Sequence, residues 1–193
     1  MNTNIVICGV GGQGIILASN VLCRTAFLEG HDVKKSEVHG MAQRGGTVIT
    51  HVKYGDKVYS PLIPEGTADF LLAFEKLEAA RYCHYLNERG IAIINDREIH
   101  PMSVLVGTAA YPKNIEEQVG KHNRAYFVEA EKIAREMGNI RVVNIVLLGV
   151  LAHSLQFKIK SWERAIQHHV KEKYVALNIT AFHRGRDRIT PSP

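Results

Sequence analysis

The chain has 193 residues, 46% of them hydrophobic and 22% charged, with a formal net charge of +5. This length supports a sizeable core and a single α/β domain over residues 1–193, and the composition excludes a disordered or fibrous chain. No stretch reaches the roughly 18 continuous apolar residues of a membrane helix, and a strand beginning by residue 5 leaves no room for a signal peptide. A cytoplasmic protein with no membrane partner is expected.

Residues 5–8 form an apolar strand that runs into Gly9-Val10-Gly11-Gly12-Gln13-Gly14, four glycines in six residues. Glycine costs folding entropy, so such a concentration marks a place where φ is positive or where a ligand or second backbone comes close. Leu17, Ala18, Val21, Leu22, Thr25 and Leu28 then recur at the spacing of a helix face. The pattern is strand, glycine turn, helix. Unpaired N–H groups at that helix N-terminus make a natural anion site.

Gly9, Gly11 and Gly14 satisfy G-x-G-x-x-G. Alone, the match equally describes a tight turn under a closely packed helix with no ligand. A nicotinamide site also needs an apolar second strand ending in an acid about twenty positions on. Residues 32–38 are the candidate strand and Glu37 the candidate acid, but the strand is too polar to be buried on both faces beside the first. A second glycine loop follows it instead of a crossover helix, which weighs against NAD.

That loop is Glu37-Val38-His39-Gly40-Met41-Ala42-Gln43-Arg44-Gly45-Gly46. It sets a carboxylate, an imidazole, an amide and a guanidinium beside three glycines. Arg44 next to Gly45 and Gly46 suits an oxyanion or phosphate, because guanidinium is a planar donor fork and glycine leaves backbone N–H groups approachable. His39 is a candidate proton shuttle, and equally a structural link.

Residues 47–54 are a β-branched strand, and Gly55-Asp56-Lys57 turns it back towards Val58 and Tyr59 as an antiparallel hairpin, so the sheet is expected to be mixed. A proline-containing loop over 60–67 precedes a buried strand at 69–74, a helix over 75–89 ended by Gly90, and a strand at 91–95. Beyond these come a short edge strand at 104–106, a turn at 112–114, a strand at 126–128 and a helix over 129–138. Residues 144–155 make a helix apolar all round, a sign of burial within the domain or against another subunit. Amphipathic helices follow at 162–173 and 174–183, then a loose tail from 184 to 193. The whole is an α/β, Rossmann-like three-layer fold with a mixed sheet and C-terminal helices.

Cys8, Cys23 and Cys83 are too far apart for a disulfide framework or a cluster motif and read as small buried residues. His168 and His169 would point about 100° apart on a helix, and His153 and His183 lack ligand-spaced companions, so no metal site is expected. Residues 158–188 hold eight Lys and Arg against Glu163, Glu172 and Asp187, without the aromatic platforms of a nucleic-acid binder. A solvated helical face or subunit-docking surface fits better. There is no nucleophile elbow, P-loop lysine or C-x-x-C to support an autonomous hydrolase, NTPase or redox enzyme.

The two glycine loops, with Thr47-Val48 after the second and Asn144 with Leu147-Leu148-Gly149 later, resemble the gamma-type subunits of 2-oxoacid:ferredoxin oxidoreductases. Among these the chain is most similar to the indolepyruvate:ferredoxin oxidoreductase beta subunit, over essentially its whole length. The resemblance implies a part in oxidative decarboxylation of a 2-oxoacid with CoA to acyl-CoA, CO2 and reduced ferredoxin, within a complex and without activity alone. It implies thiamine diphosphate, Mg and iron–sulfur clusters on a larger alpha subunit, since this chain lacks the Gly-Asp-Gly to Asn pattern and cluster cysteines. Ferredoxin would meet the complex, and homodimer contacts are compatible with it. Gly9, Gly11, Gly12, Gln13, Gly14, Gln43, Arg44, Gly45 and Gly46 are then the expected contacts to CoA or a cofactor phosphate, with His39 the catalytic candidate. Alternatives are loops that only dock the partner, a pyruvate, 2-oxoisovalerate or 2-oxoglutarate enzyme, a stand-alone nucleotide-binding domain, and a noncatalytic scaffold.

Overall fold

A six-stranded sheet in the order β2-β3-β1-β4-β5-β6 organises the chain. The computed structural model describes residues 2–40, 46–120 and 124–188, with the backbone alone at His39. The strands are β1 (Thr3–Val10), β2 (Asp32–His39), β3 (Thr47–Gly55), β4 (Ala68–Ala73), β5 (Leu86–Asn95) and β6 (Arg124–Val128). β1, β4, β5 and β6 run parallel, whereas β3 lies antiparallel to both β1 and β2. The sheet is therefore mixed, as expected. Burial explains the order: Ile5 to Cys8 are fully buried and occupy the interior, while polar β2 takes an edge where one side meets solvent.

Alternation along the strands divides the core in two. Ile5, Ile7, Leu72 and Ile93 face one layer, built from α1 (Ile15–Leu28), α5 (Ala130–Glu136), α6 (Val143–Ser154), α7 (Ile159–His169) and α8 (Glu172–Arg186). Val6, Cys8, Leu71 and Ile94 face the other, where α2 (Lys76–Tyr82) and α4 (Ile115–Gly120) pack. The apolar helix α6 is buried within the domain. Its Gly149 and Gly185 of α8 let the two backbones touch: a Cβ at Gly149 would lie 2.1 Å from the Phe182 carbonyl oxygen, and one at Gly185 2.0 Å from that of Val146. The basic C-terminal helices cover the core with Trp162, Ala165, Ile166 and Phe182 and turn their charges outward.

Several local expectations are corrected. Val58 and Tyr59 form no returning strand, because β3 is already paired on both sides by β1 and β2 and has no free edge. The helix after β4 stops at Tyr82, a single 3-10 turn follows, and β5 starts at Leu86. Gly90 is thus no helix stop. It sits inside β5, where a Cβ would come within 2.8 Å of the Leu86 side chain and 3.0 Å of the Ala68 carbonyl. Residues 104–106 are not an edge strand but belong to the helical turn α3 (Met102–Leu105) and its end, since β6 occupies that side of β5. The short α4, with Ile115 and Val119 buried one turn apart, is an additional element. α8 continues to Arg186, so the expected tail from 184 is helical at its start; residues 189–193 lie outside the described residues.

Candidate functional site

At the carboxyl end of β1 the chain turns through Gly11 to Gly14 and enters α1, with left-handed backbone at Gly12 (φ 94°) and Gly14 (φ 82°). Gln13 holds the turn together. Its Oε1 accepts the Val10 N–H at 2.6 Å, and its Nε2 donates to the Phe74 carbonyl at 3.0 Å, tying the ends of β1 and β4. Gly9 makes room for this clamp, since a Cβ there would stand 2.6 Å from Gln13 Oε1 and 2.7 Å from Phe74 Cβ. Gly14 faces Asn144 at the start of α6: a Cβ would lie 2.5 Å from Asn144 Nδ2, which donates to the Gly14 carbonyl at 3.3 Å.

These contacts sort the turn into structural and open positions. Gly9, Gln13 and Gly14 are committed to packing, and the Gly11 N–H donates to the Gly46 carbonyl at 2.9 Å. Gly12 has no described residue within 4 Å of an added Cβ, and it is exposed. The first turn of α1 contains no acid and its Gly14 cap makes no side-chain bond, so the positive end of the helix has no carboxylate from its own turn. The turn can therefore present an anion with backbone donors, while the Gln13 amide commits one donor and its oxygen to the turn itself.

The second loop begins and ends beside the first. Gly40 N–H donates to the Thr47 carbonyl at 2.8 Å, Gly46 accepts from Gly11, and Thr47 pairs with Val10 in register. Gln43, Arg44 and Gly45 lie outside the described residues. His39 ends β2 opposite Val48. Glu37 contacts Lys35 at 2.5 Å, and Lys35 also donates to Asn20 of α1 at 2.5 Å. Because β3 separates β2 from β1, Glu37 is not on the strand next to β1 that a nicotinamide ribose would require.

Two buried carboxylates under this end of the sheet escaped the sequence reading. Glu75 caps α2 by accepting the Glu78 N–H at 2.9 Å, and its other oxygen accepts the Ile99 N–H at 3.0 Å and the Tyr111 hydroxyl at 2.7 Å. The Tyr111 phenol is held protonated, first by burial and then by its bond to Glu75. Glu78 accepts from Arg81 Nε at 3.1 Å; burial raises its pKa, opposed by Arg81 and by the Thr47 side chain. The signal available was Glu75-Lys76-Leu77-Glu78 at a strand-to-helix junction, with acids at capping spacing. Cys8 is no nucleophile, since burial and then Glu78 push its thiol well up, and Cys23 is raised to about 11, chiefly by burial.

A parallel-centred α/β sheet whose inner strand ends in a glycine turn at a helix N-terminus, abutted by a second glycine loop, defines a domain that presents backbone donors at the strand ends. The chain belongs to the pyruvate ferredoxin/flavodoxin oxidoreductase family, whose model matches residues 4–188. It is 44% identical to the indolepyruvate oxidoreductase subunit IorB of Archaeoglobus fulgidus, covering 96% of this chain and 94% of that one. The subunit of the same name from Thermococcus kodakarensis is 43% identical, over 94% of this chain and 93% of its own. Among solved structures, the keto/oxoacid ferredoxin oxidoreductase gamma subunit from Geobacter sulfurreducens superposes with a TM-score of 0.71, at 28% identity and 96% coverage of both chains.

Proposed function

We propose that this chain is the small subunit of a 2-oxoacid:ferredoxin oxidoreductase acting on an arylpyruvate such as indolepyruvate, with CoA as acyl acceptor and ferredoxin as electron acceptor. Full-length likeness to indolepyruvate oxidoreductase subunits supports the substrate class. Thiamine diphosphate, Mg and iron–sulfur clusters belong to a larger subunit in this proposal; bound there, they supply carbanion stabilisation and one-electron transfer. The small chain is inactive alone. Its own part is to wall the site and hold an anion, CoA or a cofactor phosphate, between Gly12, the first N–H groups of α1 and Arg44.

The observation that carries this assignment is the Gly11 N–H to Gly46 carbonyl bond, which puts the ends of both loops side by side. The open Gly12 fits an approaching anion, because among the described residues no atom comes within 4 Å of a Cβ placed there. Gly12→Asp would set a carboxylate at the mouth of the turn, whereas Gly12→Asn keeps the tolerance of left-handed backbone without the charge. Like charges about 6 Å apart at an effective dielectric near 20 repel by about 3 kcal/mol, reduced by salt to about 1–2. In the assembled complex, Gly12→Asp should raise the apparent KM for CoA by roughly tenfold and Gly12→Asn by less than about threefold. Arg44→Ala should raise it without dissolving the complex. Equal CoA kinetics in the Asp and Asn variants would remove the anion assignment.

Exposed Ile16, two residues after Gly14, and Val38, two residues before Gly40, favour a second reading in which both loops dock the partner. Loss of the complex in Arg44→Ala, with unchanged CoA kinetics in whatever complex remains, would select that reading.

A further inference from the structure

A cavity of about 480 Å³ opens between the first turn of α1, the link from α5 to α6 and the link from α7 to α8. Leu17, Val142 and Leu177 give it an apolar wall, and Arg141, Lys171 and Tyr174 line it as well. Among the described residues that line it, none is acidic. Neither Arg141 nor Lys171 has an ion-pair partner among the described residues, whereas further along α8 His183 meets Glu163 and Arg184 meets Glu136. His169, also in the lining, is held below the usual imidazole range by burial and then by His168, which leaves Arg141 and Lys171 as the charges of the cavity at neutral pH.

The two cations stand on braced backbone. Asn139 Oδ1 accepts the Arg141 N–H at 3.0 Å, and the Asn139 N–H donates to the Ala134 carbonyl at 3.0 Å, fixing the first link. The Lys171 carbonyl accepts the Tyr174 N–H at 2.8 Å, and Asn178 Nδ2 donates to the Tyr174 carbonyl at 2.8 Å, fixing the second. A pre-formed hollow of a few hundred cubic ångströms, largely apolar with a few placed polar groups, has the anatomy of a small-molecule site. One guanidinium and one ammonium in the same lining as an aliphatic wall suit one kind of guest, an anionic head on an apolar body.

We propose that this cavity binds an organic carboxylate with an apolar body, of the size of an arylacetate or aryl 2-oxoacid, at a site separate from the glycine turn. The inference does not depend on the assignment of CoA to the two loops. Val142 lies two residues before Asn144, whose amide holds the Gly14 carbonyl, so an occupant would rest on the segment that braces the turn.

Isothermal titration of the full chain with indole-3-acetate, its neutral alcohol analogue and inorganic phosphate tests this. Saturable binding of one indole-3-acetate per chain is expected, with the alcohol at least tenfold weaker and no competition from phosphate. Arg141→Ala and Lys171→Ala, both at exposed positions, should each weaken binding by about fivefold or more, and the double variant further, with the urea midpoint unchanged. Arg44→Ala should bind like the parent. Absence of saturable binding, equal affinity in the double variant, or phosphate competing as well as the arylacetate would each overturn the assignment.

Discussion

Gly14→Ala tests the packing beneath the glycine turn most sharply. At φ 82° the backbone is left-handed, which costs a residue with a Cβ roughly 1–2 kcal/mol. The new methyl would also stand 2.5 Å from Asn144 Nδ2, closer than real Cβ contacts come, and a tight 3.1 Å from its Cγ. Asn144 must move, giving up its 3.3 Å bond to the Gly14 carbonyl, worth about 1 kcal/mol, and overpacking its buried surroundings by a further 1–2 or so. The expected loss is about 3–5 kcal/mol of unfolding free energy. Truncating Asn144 to Ala removes the amide but leaves the backbone strain, so in that background Gly14→Ala should cost only about 1–2 kcal/mol. Equilibrium urea unfolding of the four proteins measures the coupling. If Gly14→Ala costs the same with and without the Asn144 amide, the clash does not govern the position.

Gly149→Ala should cost about 4 kcal/mol or more by urea unfolding, because the methyl meets the Phe182 carbonyl oxygen at 2.1 Å and helix backbone cannot rotate away as a side chain does; a loss under about 1 kcal/mol would contradict the close α6–α8 crossing. His51 should make stability pH-dependent. Burial, then Lys53, lowers its pKa from the ordinary 6.5, and its Nδ1 accepts the Ile63 N–H at 3.0 Å. The unfolded chain then binds the extra proton more readily, so the stabilisation is complete above 6.5 and is lost as pH falls through 6.5 towards the folded value. His51→Gln should flatten the urea midpoint over that window, and an unchanged pH profile would count against this role.

Burial was legible in the sequence wherever hydrophobic pattern reports it directly. The apolar run at residues 5–8 became the central strand, polar residues 32–38 went to an edge, and the all-round apolar helix at 144–155 is enclosed. Strand partners were less legible, because pairing joins distant segments: the antiparallel partners of β3 are β2 and β1, not the residues just after it. The glycine turn shows the same limit at a finer scale. Its dihedral demand was readable, but glycine serves open space and close packing alike, and what fills the space at Gly14 is Asn144, 130 residues away. Gln13 likewise reads as a ligand contact in the sequence, where its bonds to Val10 and to the distant Phe74 carbonyl are not visible. The buried Glu75 and Tyr111 pair joins residues 36 apart, a distance over which local pattern carries no information.

Turnover in the assembled enzyme bears most directly on the central claim. Anaerobic co-expression with a candidate larger subunit, followed by indolepyruvate- and CoA-dependent viologen reduction, should give activity only when both chains are present. Full activity of the larger subunit alone would contradict the account.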